Sequence, residues 1–397
     1  MTHVVMLLDG EYPFDPRVQN LAKALTGSHF RVTLLCLTYS DEEKTEKIDD
    51  LRVIRFKVHK LFKRLHSYAY TFPFYHWMIR KTFFQYLKKN QNEIDIIHIH
   101  DMIQAKPILN NKFDGIHYTL DLHEIRPKIM RHYDHVKALP GKYLIDLKKW
   151  EKNEKHLISL ADTVITVTNS SSRYYIKNYN SEPEKFITFS NTTNFVKHIL
   201  PKTLPLDNQP INLVYVGDTG FRRGIQTVLE SLRNLVYDHD KNVHFYCIGS
   251  SKYDPLWKSK VTEFELWSYV TFTGFISQNE INQYLSKSHI GLSPLHRNIH
   301  HDTTLANKLF LHMKHGVPSV VSDCFEQAEL VIQNNCGLVH ESQNVESLTK
   351  CILKLIDNEE EYFAKSQNSL NTLRSAFSIG NISSNLISIY KNIDLST

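Results

Sequence analysis

Three glycines and two arginines between residues 217 and 224 have the clearest chemistry in the sequence. Gly217, Gly220 and Gly224 would let the backbone approach a ligand closely, and Arg222 and Arg223 carry fixed positive charge. Arginine can hold a pyrophosphate through paired hydrogen bonds, and the free N–H groups at the start of a helix add to the positive field. The stretch therefore predicts a turn that binds a diphosphate. The alternative is an ordinary strand-to-helix turn with solvated arginines.

An apolar strand and an amphipathic helix would position this turn. The short apolar run from Leu213 to Val216 is typical of a strand that is covered on both faces. After the turn, apolar residues recur at intervals of three and four between Ile225 and Val236, which indicates one buried helical stripe. A strand, a glycine-containing turn and a helix in this order could together hold a diphosphate.

Length, charge and cysteine content narrow the class of protein. At 397 residues the chain exceeds what one hydrophobic core supports, so we expect two domains. The formal net charge of +5 is mild, and the sequence has no zinc-finger spacing or RNA-binding aromatic motif, so nucleic acid is not an expected partner. Five scattered cysteines, no basic leader and no apolar run long enough to cross a bilayer predict a cytoplasmic protein with reduced thiols.

Strands and helices alternate along both halves of the chain, which predicts an α/β fold with parallel sheets. The polar, proline-containing stretch between Lys197 and Pro210 is typical of a linker. We therefore expect one Rossmann-like domain over residues 1–200, a second over 201–375, and a C-terminal helix over 376–397 that packs back on the first domain. The predicted architecture is two doubly wound domains facing one another across a cleft.

Polar side chains follow two predicted strands of the first half. Because ligands of open parallel sheets bind at the carboxyl ends of strands, functional groups are expected there. The two groups are His98, His100 and Asp101, then Asp121, His123, Glu124 and Arg126.

Several motifs in collinear order resemble one enzyme family. In the second half they are YVGDTGFRRGI, VTFTGFI and LANKLFLHMKHGVPSVVSD, and in the first half DGEYPFDPRVQNLAKAL, IHIHD and LDLHE. Together they resemble the retaining glycosyltransferases of the GT-B fold, family 4, over about Met1 to Leu355. The resemblance implies a nucleotide diphosphate sugar as donor, a nucleotide-binding C-terminal domain and an acceptor-side N-terminal domain.

The resemblance also implies roles for individual residues. His123 would approach the donor sugar and Arg223 would hold the diphosphate, and these two are the expected catalytic residues; the alternative for His123 is a histidine that caps a loop. Asp101, Glu124 and Arg126 are the acceptor-side candidates. The expected donor-binding residues are Gly10, Gly217, Gly220, Arg222, Arg223, Phe275, Ile276, Thr303, Thr304, Leu305 and Lys308.

One segment both matches the family and departs from it. We expect a helix from Thr304 to His315 that presents Lys308 to the cleft, preceded by a turn whose N–H groups face phosphate, while Gly10 would form a close-packed turn. The family's paired glutamates correspond to Thr303 and Leu311, and leucine cannot accept hydrogen bonds from a ribose. Either another group holds the ribose, or donor binding is weakened or lost.

No metal is expected, because arginine and lysine can balance a diphosphate. The Asp-x-Asp at Asp238 and Asp240 is better explained as a solvated turn.

The segment that begins at Lys57 and ends at Asn92 holds eight Lys or Arg, ten aromatic residues and no Asp or Glu. That composition suits an anionic membrane surface, and the alternative is a pair of helices with buried aromatics and exposed lysines.

The expected activity is transfer of a hexose-like unit, with retention, to a hydroxyl of a glycan or lipid-linked acceptor in surface polysaccharide or glycoconjugate synthesis. Two alternatives remain open. A nucleotide-sugar epimerase of the same fold would need carboxylates that move protons, for which Asp101, Asp121 and Glu124 are candidates. A non-catalytic partner subunit would keep the fold without donor binding, which Leu311 makes plausible.

Overall fold

The computed structural model describes residues 1–39, 43–193, 198–206 and 209–393. These residues form two compact units, one of Met1–Ser190 together with the C-terminal segment that begins at Ile379, the other of Asn191–Ser378. Part of the expected linker, at Lys197, Asp207 and Asn208, lies outside the described residues. None of the described helices is both long enough and apolar enough to cross a lipid bilayer.

The first unit is built on a sheet of eight strands in the order β3-β4-β2-β1-β5-β6-β7-β8. All neighbours are parallel except β3, which is antiparallel to β4 at the edge. The strands are β1 (His3–Leu8), β2 (Arg31–Thr38), β3 (Lys44–Ile48), β4 (Leu51–Lys57), β5 (Ile96–His100), β6 (His117–Leu122), β7 (Thr163–Thr166) and β8 (Phe186–Thr188).

Helices cover both faces of this sheet, as the predicted doubly wound pattern requires. Asp15 caps the first of them by accepting hydrogen bonds from the N–H groups of Arg17 and Val18. The helices are α1 (Pro16–Gly27), α2 (Leu61–Leu65), α3 (Phe74–Ile79), α4 (Gln85–Asn90), α5 (Ala105–Leu109), α6 (Arg126–Met130), α7 (Asp134–Lys137), α8 (Gly141–Leu144), α9 (Leu147–Leu160) and α10 (Asn169–Tyr179).

The acidic, lysine-bearing stretch between β2 and β4 has the sequence pattern of a loop, and this prediction is wrong over β3. This strand is polar, and its Glu46 carboxylate pairs with Arg55 of β4 at 2.6 Å. Charged residues are common on edge strands because they discourage pairing with other chains. A polar edge strand lacks the apolar alternation that identifies a strand in a sequence.

The basic aromatic segment between β4 and β5 folds into the short helices α2, α3 and α4. One face contributes Tyr75, Phe83 and Leu87 to the core of the unit. Phe74 and Trp77 instead remain 60% and 53% exposed. Some of its aromatics are thus core residues and others lie on the surface, and contact with a membrane stays a prediction.

The second unit holds a parallel sheet of six strands in the order β11-β10-β9-β12-β13-β14. The strands are β9 (Ile211–Val216), β10 (Val243–Ile248), β11 (Val270–Gly274), β12 (Ile290–Ser293), β13 (Ser319–Ser322) and β14 (Gly337–His340). The helices are α11 (Ile225–Arg233), α12 (Asp254–Glu263), α13 (Gln278–Lys287), α14 (Ile299–Asp302), α15 (Asn307–Lys314), α16 (Phe325–Gln333), α17 (Val345–Ile356) and α18 (Glu359–Ser375).

The last described helix, α19 (Ile379–Asn392), belongs to the first unit. Its Leu386 and Tyr390 are buried in a core cluster with Val18 and Leu21 of α1. The Tyr390 hydroxyl lies 2.8 Å from Nδ1 of His98 in β5. The end of the chain is thus tied to the strand that leads to one group of polar residues.

Both units have the predicted α/β fold class, with a mainly parallel sheet and helices on both faces. In the second unit β9 is central, as its apolar run predicts, and Leu213 and Tyr215 pack on the same cluster as Ile225 and Val228 of α11. The carboxyl end of β9 is therefore rigidly placed. This is the end that carries the glycine and arginine turn.

Candidate functional site

The turn between β9 and α11 needs glycine at two of its positions. Gly217 and Gly224 have φ values of 134° and 77°, a region that other residues rarely adopt. A Cβ atom on Gly224 would also lie 1.9 Å from the carbonyl oxygen of Pro294. These glycines let the chain turn tightly over the end of β12 before α11 begins.

The backbone of the turn is held by its own polar groups. Tyr215 donates a hydrogen bond of 2.6 Å to the carbonyl of Asp218, and the N–H of Gly220 donates to the Asp218 carboxylate at 3.0 Å. Below it, the indole N–H of Trp257 donates to the carbonyl of Thr219 at 2.7 Å. The turn is therefore preorganised, which limits the entropy lost when it binds a ligand.

Thr219 and Asp254 form a support that sequence analysis missed. The Thr219 hydroxyl donates to the Asp254 carboxylate, which also accepts from Ser250 at 2.7 Å. Burial would raise the pKa of Asp254, but these hydrogen bonds hold it below its usual value. No spacing in the sequence links a threonine in the turn to an acid 35 residues later, so no local signal reveals the pair.

Arg223 is oriented by a carboxylate on one side and a histidine on the other. Its Nε lies 3.4 Å from the Asp218 carboxylate, and one terminal nitrogen lies 3.4 Å from Nε2 of His301. Nδ1 of His301 is 2.7 Å from the carbonyl of His296, so it must carry the proton and leaves Nε2 as an acceptor. Burial holds the pKa of His301 far below its usual range, which keeps the ring neutral beside the guanidinium.

Lys308 places a buried amine beside the turn. Its Nζ lies 3.7 Å from the centroid of the Tyr215 ring and would be 3.9 Å from a Cβ atom on Gly217. The side chain is buried, and Nζ has no hydrogen-bond partner in the part of the chain that the structure describes. Burial, followed by the charge of Arg223, lowers the pKa of Lys308 well below its usual value. An anion bound at the turn would supply the missing partner.

Helix α15 is shorter than predicted. It runs over Asn307–Lys314, and the residues before it form an extended turn in which the hydroxyls of Thr303 and Thr304 donate to the carbonyls of Ile299 and His300. These hydroxyls keep the chain from entering the helix earlier. The side chain of Leu305 packs in the core, and the expected contact of its backbone N–H with phosphate stays a prediction.

The helical face expected to look outward is largely buried. Lys308 is buried as described above, and buried His315 has its Nε2 3.2 Å from Asn282. Leu311 packs against the cluster of Val214, Val216, Ile248 and Leu285.

Phe275 and Ile276 lie after β11 and differ in environment. The Phe275 side chain is 84% exposed, whereas Ile276 packs against the same cluster as Leu311. The expected role of both residues was a backbone contact with a base, and it stays a prediction.

In the first unit a buried carboxylate gathers three histidines and an arginine. Asp121 of β6 stands opposite His100 of β5 in the sheet register, so their side chains meet at the carboxyl end of the strands. Arg17 donates to both carboxylate oxygens at 2.6 and 3.1 Å. Burial would raise the pKa of Asp121, but Arg17 and then His123 hold it well below its usual range. The carboxylate is therefore ionised at neutral pH.

His123 lies at the accessible edge of this cluster. Its Nε2 is 3.5 Å from the Asp121 carboxylate and 3.3 Å from Nδ1 of His100, and its side chain is 21% exposed. Burial opposes protonation, but Asp121 outweighs it and raises the pKa of His123. Burial lowers the pKa of His100 to about 4, so His123 is the ring of this pair that takes a proton first.

The ring nitrogens of His98 and His100 and the Asp121 carboxylate lie close enough to ligate a metal ion. Both oxygens of Asp121 already accept hydrogen bonds from Arg17, and a fixed guanidinium repels a cation. We therefore interpret the cluster as an ion pair that positions His123.

In the Asp-x-Asp turn, Asp240 has φ 49° and exposed Asp238 pairs with Arg233 at 3.4 Å.

The acceptor-side candidates form one group, in which the carboxylates of Asp101 and Glu124 both pair with the guanidinium of Arg126. Arg126 donates to Glu124 at 2.6 Å and to Asp101 at 3.1 Å. Burial, against the opposing charge of Arg126, raises the pKa of Glu124. The structure thus brings the three predicted residues together, with both acids engaged by the guanidinium.

A cavity of about 490 Å³ opens beside Arg126, and sequence analysis missed most of its lining. Asp9, Gly10 and Glu11 follow β1, Tyr39 follows β2, Ile103 follows β5 and Arg126 begins α6. A Cβ atom on Gly10 would have no protein neighbour nearer than 4.0 Å, so Gly10 lines the open cavity. Its expected close packing under the donor and acceptor stays a prediction. The acid after an apolar strand, Asp9, was the available signal.

Two family profiles together match most of the chain. The profile described as "Glycosyl transferases group 1" matches residues 210–358, and the one described as "Glycosyltransferase Family 4" matches residues 17–195. No curated protein matches the chain by sequence.

Many solved structures share the fold at low sequence identity. Sucrose-phosphate synthase from Thermosynechococcus elongatus superposes with a TM-score of 0.75 at 17% identity, over 99% of both chains. HepE of Anabaena, in complex with UDP and glucose, gives 0.70 at 14% identity over 99% of this chain and 100% of its own. An E. coli structure described as trehalose-6-phosphate bound with UDP-2-fluoro glucose gives 0.71 at 12% identity, over 99% and 100%.

Proposed function

Because the chain belongs to the group 1 glycosyltransferases of family 4, with the GT-B fold, we propose that it is a retaining hexosyltransferase. Its donor is a nucleotide diphosphate sugar, and its acceptor is a hydroxyl of a glycan or a lipid-linked sugar. Synthesis of a surface polysaccharide or glycoconjugate is the process that such a reaction serves.

The observation that carries this proposal is that a guanidinium and a buried amine lie together at the turn after β9. Arg223 is held in place by Asp218 and neutral His301. Lys308 is a buried amine without a hydrogen-bond partner among the described residues, and a bound diphosphate would favour its protonation. As a glycosidic bond to a diphosphate breaks, negative charge grows on the departing phosphate oxygens. Fixed cations in a water-poor site stabilise that charge without reorganising. HepE, which has the same fold, was solved with UDP and glucose.

In this proposal no metal takes part. Arg222, Arg223 and Lys308 supply the positive charge that a divalent ion would otherwise provide. His123, with its pKa raised by Asp121, is the group proposed to contact the donor sugar. We expect EDTA to leave the rate unchanged, and a rate restored only by Mg²⁺ or Mn²⁺ would contradict this part of the proposal.

The activity is tested by incubating the protein with UDP-, GDP- and ADP-sugars and following release of the nucleoside diphosphate. NMR of the product reports whether the anomeric configuration is kept. We expect one donor to be consumed with retention, and His123→Ala to slow the reaction by about 100-fold or more. An inverted product would contradict the retaining mechanism.

The apolar packing of Leu311 favours a second candidate, a partner subunit that does not bind a donor. Loss of one charged hydrogen bond weakens binding by about 1.5–3 kcal/mol, which by itself does not abolish a site that keeps its cations. We therefore favour the enzyme. The epimerase is disfavoured, because Asp121 is paired with Arg17, and Asp101 and Glu124 are paired with Arg126.

We also propose that the first unit touches the anionic inner face of a membrane from the cytoplasm. Phe74 and Trp77 of the segment that begins at Lys57 and ends at Asn92 are exposed, and Lys81 lies 3.9 Å from the Trp77 ring. Exposed aromatics among cations suit an anionic bilayer surface. We expect binding to vesicles that contain phosphatidylglycerol and loss of binding in Phe74→Ser/Trp77→Ser. Equal binding to purely zwitterionic vesicles would contradict an electrostatic contribution.

A further inference from the structure

We propose that the cavity beside Asp9 binds an uncharged sugar ring of the acceptor, with Asp9 and Glu11 bonding to its hydroxyls and Phe14 packing against its face. The inference rests on the proposed function, because it names the class of acceptor. It assigns specificity to three residues of the motif DGEYPFDPRVQNLAKAL to which the sequence analysis gave no individual role.

The position of the cavity in the sheet is the first argument. Strand β1 pairs with β2 on one side and with β5 on the other, so the order of strands reverses direction beside β1. In open parallel sheets ligands bind at the carboxyl ends of the strands beside such a reversal. The cavity lies there, with Asp9 after β1 and Ile103 after β5 among its lining residues. Its volume of about 490 Å³ is in the range of small-molecule sites.

The second argument is that Asp9 has no cation of its own. Within the described residues no Lys, Arg or His nitrogen pairs with its carboxylate, in contrast to Asp101 and Glu124, which share Arg126. Burial raises the pKa of Asp9 to about 7 despite the nearby Tyr75 hydroxyl and Arg126. With this pKa, Asp9 is readily protonated near neutral pH. A protonated carboxyl group both donates and accepts hydrogen bonds, as a sugar hydroxyl does.

The charges around the cavity argue against an anionic ligand. The positive charge of Arg126 is matched by Asp101 and Glu124. Burial lowers the pKa of His66, so that its ring is neutral. Lys63 lies 5.4 Å from the Tyr39 ring, and Glu11, which also lines the cavity, balances its formal charge. The described side chains therefore leave no net positive charge for a phosphate or a carboxylate.

Phe14 supplies the apolar surface that a sugar ring needs. Its side chain is 79% exposed although it lines the cavity. A large aromatic ring next to two carboxyl groups gives one apolar contact surface and a few directed hydrogen bonds, the usual composition of a site for a polar small molecule.

Binding is tested by saturation-transfer NMR with the methyl glycosides of glucose, galactose, mannose and N-acetylglucosamine, and with methyl glucuronide as the anionic probe. We expect at least one uncharged glycoside to bind. In Asp9→Asn/Glu11→Gln and in Phe14→Ala its affinity should fall by about fivefold or more. Glu184→Gln, at an exposed position away from the cavity, is the matched control and should bind as the wild type does.

Binding of no uncharged glycoside, stronger binding of methyl glucuronide, or unchanged affinity in the variants would overturn the inference. A single cooperative thermal unfolding transition in each variant would show that the variants are folded. A separate measurement of melting temperature with nucleotide sugars keeps the two proposals apart. If a nucleotide sugar stabilises the protein while the glycosides fail, only the inference about the cavity fails; if no nucleotide sugar binds, the proposed function fails whatever the glycosides do.

Discussion

The amine nitrogen of Lys308 lies 3.7 Å from the centroid of the Tyr215 ring, buried and without a hydrogen-bond partner among the described residues. Tyr215 belongs to β9, the strand that carries the glycine and arginine turn. An unpaired buried amine destabilises the folded chain. We interpret it as a group kept for a ligand, because the described part of the chain supplies no anion to pair with it.

Replacing Lys308 should stabilise the folded protein and weaken donor binding. Lys308→Met keeps the apolar stem and removes the amine, so the free energy of unfolding at pH 7 should rise by about 1–2 kcal/mol. The Kd for a nucleotide sugar should rise by about tenfold or more. Denaturant unfolding with and without ligand measures both effects. Lys350→Met, at a position 78% exposed, is the control and should change neither quantity; a less stable Lys308→Met variant would contradict the account.

Donor binding should take up a proton. Burial and Arg223 lower the pKa of Lys308, and a diphosphate beside the amine would raise it again. A group with a higher pKa in the complex binds a proton on association, so affinity should increase as the pH falls. Calorimetry in buffers of different ionisation enthalpy measures this uptake, which Lys308→Met should abolish. Equal heats in all buffers for the wild type would show that the amine is already charged.

The ion pair of Asp121 and Arg17 should be essential for the first unit. In Asp121→Asn the Arg17 guanidinium stays buried without its carboxylate, which should reduce the free energy of unfolding by about 3–5 kcal/mol at pH 7. Because the pKa of Asp121 is depressed, its contribution is present at neutral pH and is lost as the pH falls below about 4. Denaturant unfolding of the wild type and of Asp121→Asn, at pH 7 and at a pH below about 4, measures this contribution.

The same substitution should also lower the pKa of His123, since Asp121 is the group that raises it. NMR titration of the ring measures this shift. Asp50→Asn, whose side chain is 83% exposed, is the matched control and should alter stability very little. An unchanged His123 pKa in Asp121→Asn would contradict the proposed positioning of the ring.

Asp9→Asn should stabilise the protein only at high pH. The pKa of Asp9 is raised to about 7, so the folded state holds its proton more tightly than the unfolded state does. Wild-type stability therefore falls, relative to the variant, as the pH rises from about 4 to about 7. At pH 8 the variant should be the more stable by at least about 1 kcal/mol. Parallel melting curves at pH 5 and pH 8 that show no change in the difference would contradict this.

Much of the fold could be predicted from the sequence because its signals are local. The apolar run of β9 and the periodic stripe of α11 depend only on neighbouring residues. The polar edge strand β3 could not be predicted, since it depends on pairing with β4. The start of α15 at Asn307 was also missed, because two threonine hydroxyls bond to the preceding turn and delay the helix.

In the candidate site, too, local motifs could be predicted from the sequence, whereas contacts between distant segments could not. The turn with Arg223 and the loop with His123 are contiguous motifs, so residue types alone indicated them. The partners that set their chemistry come from distant segments, as Arg17 does for Asp121 and His301 does for Arg223. Whether Lys308 is buried or solvated likewise depends on packing against Tyr215 rather than on spacing along a helix.

The most direct test of the central claim is thermal unfolding with UDP, GDP, ADP and CMP and their common sugars, for the wild type and Arg223→Ala. Arg233→Ala, an exposed arginine of α11, is the matched control. A ligand at a hundredfold excess over its Kd adds about 2.7 kcal/mol of stability, which is readily measured as a rise in Tm. We predict that one nucleotide raises the Tm of the wild type and of Arg233→Ala but not of Arg223→Ala. No shift with any nucleotide in a folded wild-type protein would contradict donor binding, and an equal shift in Arg223→Ala would contradict the role of this arginine.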